Sequence, residues 1–566
     1  MPILIKLTCV TVVLVSVLPS SFTRLTQIEL SLQTVLIAGM VAVAIVGFLA
    51  LSLIANRVIR LVGASIFSIS AALTFGYYDV YEQQLNYFTF LGLLDERGSA
   101  GFAAAMYFTS VIFALSGSVV TALAIGLPPP IIRRLPQNFL IALPLMAFGM
   151  LACADISRGG VNFRGVVHGW QGLIYTTRVG IDYFWPFGDM RESVSIERGE
   201  KPVARDIVLI VDESIPGQYL DINSESGVYS GLAKVRKGVS IHNFGLATSI
   251  TNCSLGSNMG LRFGGTRQSI QEKIARAPSL FDYAETAGMH TSYLYSYAGF
   301  EDYFDGIEMY KIQSPFSFES ENLIDRDVAS ARELQKLLTN NRSDFVYVNK
   351  MGAHFSVNKS YPEPRTKYRP ALSRNRIWDL RGDDKVLFPG MITGPDDWRL
   401  YRNAFRNTFE WNVGYYFDLA LQASERDDAT IIYTSDHGQN LHERPNDAKG
   451  THCASTDPQI EEGVVPLVII EFGKTTSIDW TEAAARNHNK MSHFRIFPTL
   501  LELMGYDLRQ VKNEYGPGLR SDERDEYTFA IALYPDQRQT IKWKKVDADA
   551  VIEPFEDDYL PVENDD

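Results

Sequence analysis

The sequence predicts an N-terminal helical transmembrane bundle of five spans followed by a doubly wound α/β domain. Three observations carry this. Charge is almost absent from the first quarter of the chain, that quarter holds long apolar runs, and the remainder alternates short β-rich runs with helical ones. The whole-chain values, 566 residues, 46% hydrophobic and a net charge of −13, describe neither part. They do exclude disorder, a collagen-like chain and a disulfide-dense miniprotein, because apolar content is high and there are four cysteines. The acidic balance argues against nucleic acid as a partner, which is met by a basic patch.

Residues 1–154 contain seven bases (Lys6, Arg24, Arg57, Arg60, Arg97, Arg133, Arg134) and five acids (Glu29, Asp79, Glu82, Asp95, Glu96), a net of +2, so the rest of the chain carries −15. Uncharged stretches fall at about 5–22, 34–55, 60–78, 103–127 and 136–154. Each approaches the roughly 20 apolar residues that cross a bilayer. The first is short enough for a signal peptide with Lys6 as its basic end, but no clean small-residue cleavage site follows, so an uncleaved anchor is expected. Buried helices of a soluble protein would need polar faces that these runs lack. Lys and Arg concentrate before span 1, between spans 2 and 3, and between spans 4 and 5, which places the N-terminus inside and everything after span 5 outside. In a bacterium that is an inner-membrane protein with its second domain in the periplasm. The loop at about 79–102, with Tyr81, Tyr87, Phe88 and Phe90, is then external. Residues 155–205 mix Trp170, Tyr175, Tyr183, Phe184, Trp185 and Phe187 with Arg158, Arg164 and Arg178. They suit an interfacial amphipathic linker or, equally, a covered surface segment of the next domain.

From Asp206 the runs IVLIV (207–211), FVYV (345–348), TIIYT (430–434) and PLVII (466–470) have the composition of strands buried on both faces. Helical stretches at 278–288 and 495–504 lie between and after them, the order of a doubly wound sheet. Ligands of such sheets bind beyond the carboxyl ends of the strands. There stand Asp212-Glu213-Ser214, Ser435-Asp436-His437-Gly438 and, just past FVYV, Met351-Gly352-Ala353-His354; Thr451-His452-Cys453 precedes PLVII. A lone strand-end Asp-His pair is commonly a cap or surface pair. Four such features in one sheet point instead to a metal site, with oxygen and nitrogen ligands suited to Zn²⁺. The hydroxyl-rich run from Ala247 to Asn258 reads as a loop entering a helix, where free N–H groups favour an anion. A threonine there could attack phosphorus; an ordinary N-cap run has the same letters.

With these motifs the chain resembles the membrane-bound phosphoethanolamine transferases of the alkaline phosphatase superfamily, which modify lipid A or the lipopolysaccharide core. The resemblance rests on IVDES (210–214), the Thr-rich loop (248–257), MGAHFSVNKSYP (351–362), TSDHG (434–438) and SHFRIFPTLLELMGY (492–506). It implies an alkaline-phosphatase/sulfatase-like catalytic domain over 206–545, after a transmembrane domain over 1–154 and the linker 155–205. Glu213, Asp436 and His437 are then zinc ligands, with the nucleophile as the fourth. Thr251 is the expected nucleophile because Ser254 stands three residues on, and Thr248 is next in line. His354 and His452 are the additional histidines, contacting the phosphate or a second zinc, and one of them supplies the acid/base of the second step. One zinc ion, or two, is implied.

The implied reaction is transfer of phosphoethanolamine from phosphatidylethanolamine to a lipopolysaccharide or glycan acceptor, through a phospho-threonine intermediate, by a monomer in the membrane. A phosphoglycerol transferase or a membrane-anchored phosphodiesterase is the alternative. A sulfatase is disfavoured, because Cys253-Ser-Leu-Gly-Ser lacks the Pro and Arg of the formylglycine motif. The resemblance departs in its cysteines: beyond the spans there are only Cys253 and Cys453, either bridged or two buried thiols. Residues 546–566 hold nine acids and no base, a solvated acidic tail.

Overall fold

The computed structural model describes residues 2–16, 32–81, 85, 87, 90, 93–94, 104, 107–130, 136–157, 167–184, 191–199, 202–296, 315–317, 324–354, 357–372, 395–422, 428–445, 451–454, 457–473, 478–531, 533 and 540–555. Phe88 of the predicted external loop, the end of the first predicted span and 556–566 of the acidic tail lie outside them. The chain divides into two compact units, 1–187 and 188–566.

The first unit is helical: α1 (Pro2–Val15), α2 (Leu32–Leu53), α3 (Arg57–Tyr81), α4 (Phe108–Gly126), α5 (Gln137–Ser157) and α6 (Trp170–Phe184). Among the described residues, three stretches are long and apolar enough to cross a membrane, Arg57–Val80, Phe108–Gly126 and Gln137–Asp155. Pro2–Val15 and Ala38–Leu53 are shorter apolar helices. Large apolar side chains such as Ile69, Leu115 and Leu145 face outward, as a lipid-facing surface requires. The aromatic segment predicted as linker divides. Its α6 packs within the first unit, where Trp170 Nε1 donates to Ala44 O at 3.0 Å and Arg178 pairs with Asp155 at 3.1 Å. Residues after 190 pack on the second unit: Arg191 donates to Ile274 and Ala277 carbonyls, and Val203 N–H to Leu503 O at 2.7 Å.

The second unit is built on a seven-stranded mixed sheet. Its strands are β1 (Asp206–Asp212), β2 (Val239–Thr248), β3 (His290–Tyr295), β4 (Pro315–Ser317), β5 (Asp344–Asn349), β6 (Ala429–Ser435) and β7 (Val464–Phe472), in the order β2-β7-β6-β1-β5-β3-β4. A two-stranded ribbon pairs β8 (Thr528–Ala530) with β9 (Trp543–Lys545). The central strands are buried on both faces because alternate residues feed two cores. Ile207, Leu209 and Val211 join one with Leu500, Leu501 and Leu503; Val208 and Ile210 join the other with Leu334, Ala404 and Phe405. That explains their continuous apolar character.

β1, β3, β4, β5 and β6 run parallel, whereas β7 is antiparallel to both β6 and β2. The reversal positions the site. It brings the start of β7 to the edge where β1, β5 and β6 end, so a motif that precedes β7 in sequence joins motifs that follow the others. β2 ends at that edge too and leads into helix α7 (Ser254–Phe263).

Candidate active site

The register of the parallel strands sets the geometry. Val211 pairs with Asn349 and Asp212 with Ser435 at the last paired positions, so Lys350 leaves the sheet beside Asp212, and Glu213 beside Asp436. Asp436 N–H donates to Asp212 O at 2.8 Å. Ser214 adopts a left-handed backbone, φ 62°; its N–H reaches Asp436 Oδ1 at 2.9 Å and its hydroxyl donates to Glu213 Oε1 at 2.7 Å. His437 Nδ1 pairs with Gly438 O at 2.6 Å, which turns Nε2 toward the carboxylates, 3.4 Å from Glu213 Oε1 and 3.6 Å from Asp436 Oδ2. The ligand atoms of Glu213, Asp436 and His437 all lie within 4.8 Å of one another.

These groups are ionised in a way that calls for a cation. Burial and the nearby Glu213 charge push the Asp436 carboxyl far up. Burial would raise Glu213 as well, but its hydrogen bond to His437 and that ring's charge hold it well below the usual range. Burial opposes the charge on His437, yet Asp436 and Glu213 carry its pKa up to about 9. Positive charge on His437, with His354 farther off, thus sustains the cluster, and Asp436 Oδ2, buried, makes no hydrogen bond. Two carboxylates and an imidazole oriented through its other nitrogen form a donor set that fits zinc.

The predicted nucleophile is placed elsewhere. Thr251 Oγ1 accepts from Leu533 N–H at 3.2 Å, and Thr248 Oγ1 donates to Thr528 O at 3.3 Å; neither contacts the acidic–histidine group. The hydroxyl that does is Ser254, with Oγ 3.0 Å from His437 Nε2 and 3.2 Å from Glu213 Oε1. The reason is local. Cys253 is the N-cap of α7, extended at φ −137° and without a side-chain cap, so Ser254 is the first helical residue and its hydroxyl stands among the free N–H groups of the first turn. A threonine three residues earlier lies outside the helix and packs back toward the segment after β8. Leu255, Met259 and Phe263, four residues apart, were the available signal for a helix beginning here.

The other predicted residues converge. The His452 ring stacks on that of His437, centroids 4.6 Å apart; burial, then the His437 charge, lowers its pKa to about 3. Half-buried His354 ends the turn after β5, close enough for its charge to act on both Glu213 and His452. Cys253 and Cys453 are bridged, with Cα atoms 4.9 Å apart. The bridge is flanked by Cys453 N–H donating to Asn252 O at 2.9 Å and by Asn252 Nδ2 donating to Glu462 Oε2 at 2.8 Å. The loops carrying Ser254 and His452 are thereby tied together.

Beneath this layer lies a lysine the sequence did not single out, paired with Asp212 of the first strand-end motif. Lys350 and Asp212, both fully buried, form an ion pair at 2.5 Å. Burial raises the Asp212 carboxyl to about 6, with Lys350 opposing. Three further histidines are engaged elsewhere: His242 with Glu471 and His290 with Asp344, both at 3.0 Å, and His442 stacked on Trp398.

A family model described as Sulfatase matches residues 205–506, more than half of the chain. The chain belongs to the Sulfatase family. The match spans β1 to the helix Ile496–Leu503 and includes every site residue named above. No curated protein matches by sequence. Among solved structures, the chain is similar to the integral membrane protein lipooligosaccharide phosphoethanolamine transferase A (EptA) from Neisseria meningitidis, at 17% identity over 82% of this chain and 88% of that one, with a TM-score of 0.56. That likeness extends the shared fold beyond the Sulfatase domain. Also matched are the C-terminal periplasmic domain of EcEptC from Escherichia coli (14% identity, 64% of this chain, 98% of that one, TM-score 0.46) and the same domain in complex with Zn (13%, 62%, 96%, 0.46).

Proposed function

We propose that this protein transfers phosphoethanolamine from phosphatidylethanolamine to a lipopolysaccharide or related glycan acceptor through a covalent intermediate on Ser254. The single observation that carries this is the Ser254 hydroxyl at the start of α7, 3.0 Å from His437 Nε2 and 3.2 Å from Glu213 Oε1. A nucleophile, an anion-binding helix start and a zinc-type donor set coincide there, and apolar helices in the same chain give access to a lipid donor. We place five spans, the inner membrane and a periplasmic second unit within the same reading, from the loop charges.

Glu213, Asp436, His437 and Ser254 Oγ would hold one zinc ion, which when bound favours the alkoxide form of the serine and neutralises charge on the phosphate. Ser254 Oγ, its proton passed to a neighbouring base, bonds to phosphorus as the bond to the diacylglycerol oxygen breaks. The diacylglycerol leaves as the alcohol. An acceptor hydroxyl or phosphate oxygen then attacks phosphorus and Ser254 is released with its proton restored. His452, held neutral beside His437, is suited to take a proton, and His354 on the open side to deliver one. In this reading the intermediate is a phosphoserine rather than a phosphothreonine.

Mass spectrometry of the host's lipid A, core and glycans, with and without the gene, tests the reaction. A difference of one phosphoethanolamine is expected, and one phosphoglycerol would replace this reading with its nearest rival. Ser254→Ala should lower transfer by about 10³-fold or more while the protein still folds. If Ser254→Ala retains transfer while Thr251→Ala abolishes it, the nucleophile is not Ser254.

A further inference from the structure

The edge of the sheet contains a second layer of charge that touches no ligand atom of the proposed centre. Lys350 Nζ donates to Asp212 Oδ2 and to the backbone carbonyl of Asn412, each at 2.5 Å. Tyr433 OH adds a second contact on the same carboxylate oxygen at 3.1 Å. Asp212 Oδ1 is left to accept the N–H of Glu213 at 3.2 Å, while the Asp212 carbonyl accepts the N–H of Asp436. One residue, held by one lysine, therefore orients the backbone of two proposed metal ligands.

The same lysine begins the turn that carries His354. Met351 and Gly352 N–H groups donate to the two oxygens of Asp327 at 2.8 and 2.9 Å, and Ala353 N–H to Glu213 O at 2.9 Å. Asn412 closes the arrangement from the other side, its Nδ2 donating to Gly352 O at 2.5 Å. Asn412 lies in a π-helical turn, Glu410–Tyr415, inserted in an otherwise α-helical segment. Such wide turns displace a carbonyl from the regular ladder and recur at functional sites; here that carbonyl faces the ammonium. The fit leaves no slack, because a Cβ on Gly352 would stand 2.3 Å from Asp212 Oδ1.

We infer that Lys350 is a positioning residue of this active site: clamped between Asp212 and the Asn412 carbonyl, it fixes the ends of β1 and β5 so that Glu213 and His354 face Asp436 and His437. The inference rests on the proposed zinc site. An ion pair kept solely for stability would not need one partner to hold ligand backbones and the other to start the histidine's turn. Buried ion pairs are in any case poor sources of net stability, since an apolar pair of similar shape does as well.

The test uses the full-length protein in detergent, with three readouts: thermal melting, zinc affinity by chelator competition, and kcat and KM for a phosphatidylethanolamine substrate. Lys350→Met alone strands a buried carboxylate and can fail to fold, so the decisive variant is Asp212→Asn with Lys350→Met, which removes both charges and keeps their shapes. Folded double variant should bind zinc about 10- to 100-fold more weakly, as expected when supports of metal ligands are lost, and lose kcat by a similar factor with KM nearly unchanged. Lys350→Arg, which keeps the charge but not the compact ammonium, should fall between. A double variant with wild-type zinc affinity and kcat, whatever its melting temperature, overturns the inference. If the wild-type protein itself binds no zinc, the proposed metal site fails instead, and the two failures are thereby distinguished.

Discussion

The two units handle buried charge in opposite ways. In the first, apart from the Arg178–Asp155 pair, buried basic side chains serve the backbone. Lys6 Nζ donates to the carbonyls of Ile125 and Leu127 at the end of α4, and Arg60 donates to Gly126 O, Ile54 O and Ala55 O at 3.0 to 3.1 Å. These are the carbonyls a helix end leaves unpaired, and no water is available to satisfy them within an apolar layer. In the second unit buried charges meet one another at one edge of a sheet. Glu213, Asp436, His437, Asp212 and Lys350 all lie within two residues of a strand end. Charge in the first unit completes a scaffold; in the second it builds a reactive centre whose ionisation depends on the neighbours.

The contrast can be broken at its tightest point. Gly352 sits at φ +51°, and a Cβ there meets Asp212 Oδ1 at 2.3 Å and Glu213 O at 2.5 Å, whereas Gly149 in α5 has nothing within 4 Å of its added Cβ. Gly352→Ala should destabilise by about 3 kcal/mol, combining left-handed strain with overpacking. Gly149→Ala should be neutral or stabilise by up to about 0.5 kcal/mol. Thermal melts of the full-length protein in detergent compare the two directly; equal effects would show that the sheet edge is as adaptable as a lipid-facing helix.

Arg60 tests the scaffold side. Arg60→Met keeps the aliphatic stem but abandons three carbonyls, at a cost of about 2 kcal/mol, read as a lower melting temperature. Zinc affinity of the proposed site should not change. Altered zinc binding would show that the two units are coupled more closely than their separate cores suggest.

A smaller effect is expected from pH. Burial lowers the pKa of His493 to about 3, while its ring accepts the Thr434 hydroxyl or donates to it at 2.7 Å. The unfolded chain takes up a proton near pH 6.5 that the folded one refuses, so the sign is destabilising toward acid. Stability should be level above about pH 6.5 and fall by about 1.4 kcal/mol per pH unit below it for this group. His452, with a pKa near 3 in the metal-free site, adds a second loss of the same sign. His493→Gln should remove part of the acid slope, measured as melting temperature against pH from 7 to 5; an unchanged slope would rule His493 out as its source.

Much of this protein was legible in one dimension. The uneven charge marks a membrane part and a soluble part, because a bilayer and water demand incompatible compositions over stretches of about 20 residues. The runs IVLIV, FVYV, TIIYT and PLVII became β1, β5, β6 and β7, since strands covered on both faces have no polar side to obscure them. The motifs at their ends identified Glu213, Asp436, His437, His354 and His452 as one group, and the structure brings these together. What remained hidden were relations between segments. Lys350 looks like any surface lysine until Asp212 and Asn412 are seen around it.

Tertiary structure decided three matters that spacing could not. It chose Ser254 over Thr251 for the place beside His437, because a helix begins at Ser254 and orients only that hydroxyl. It bridged Cys253 to Cys453, two hundred residues apart, and it reversed β7 so that His452 arrives from the opposite direction in the chain. Sequence determines which chemistry is present and which solvent each part can tolerate. Direction and distance across a sheet are set by strand order, which no single segment encodes.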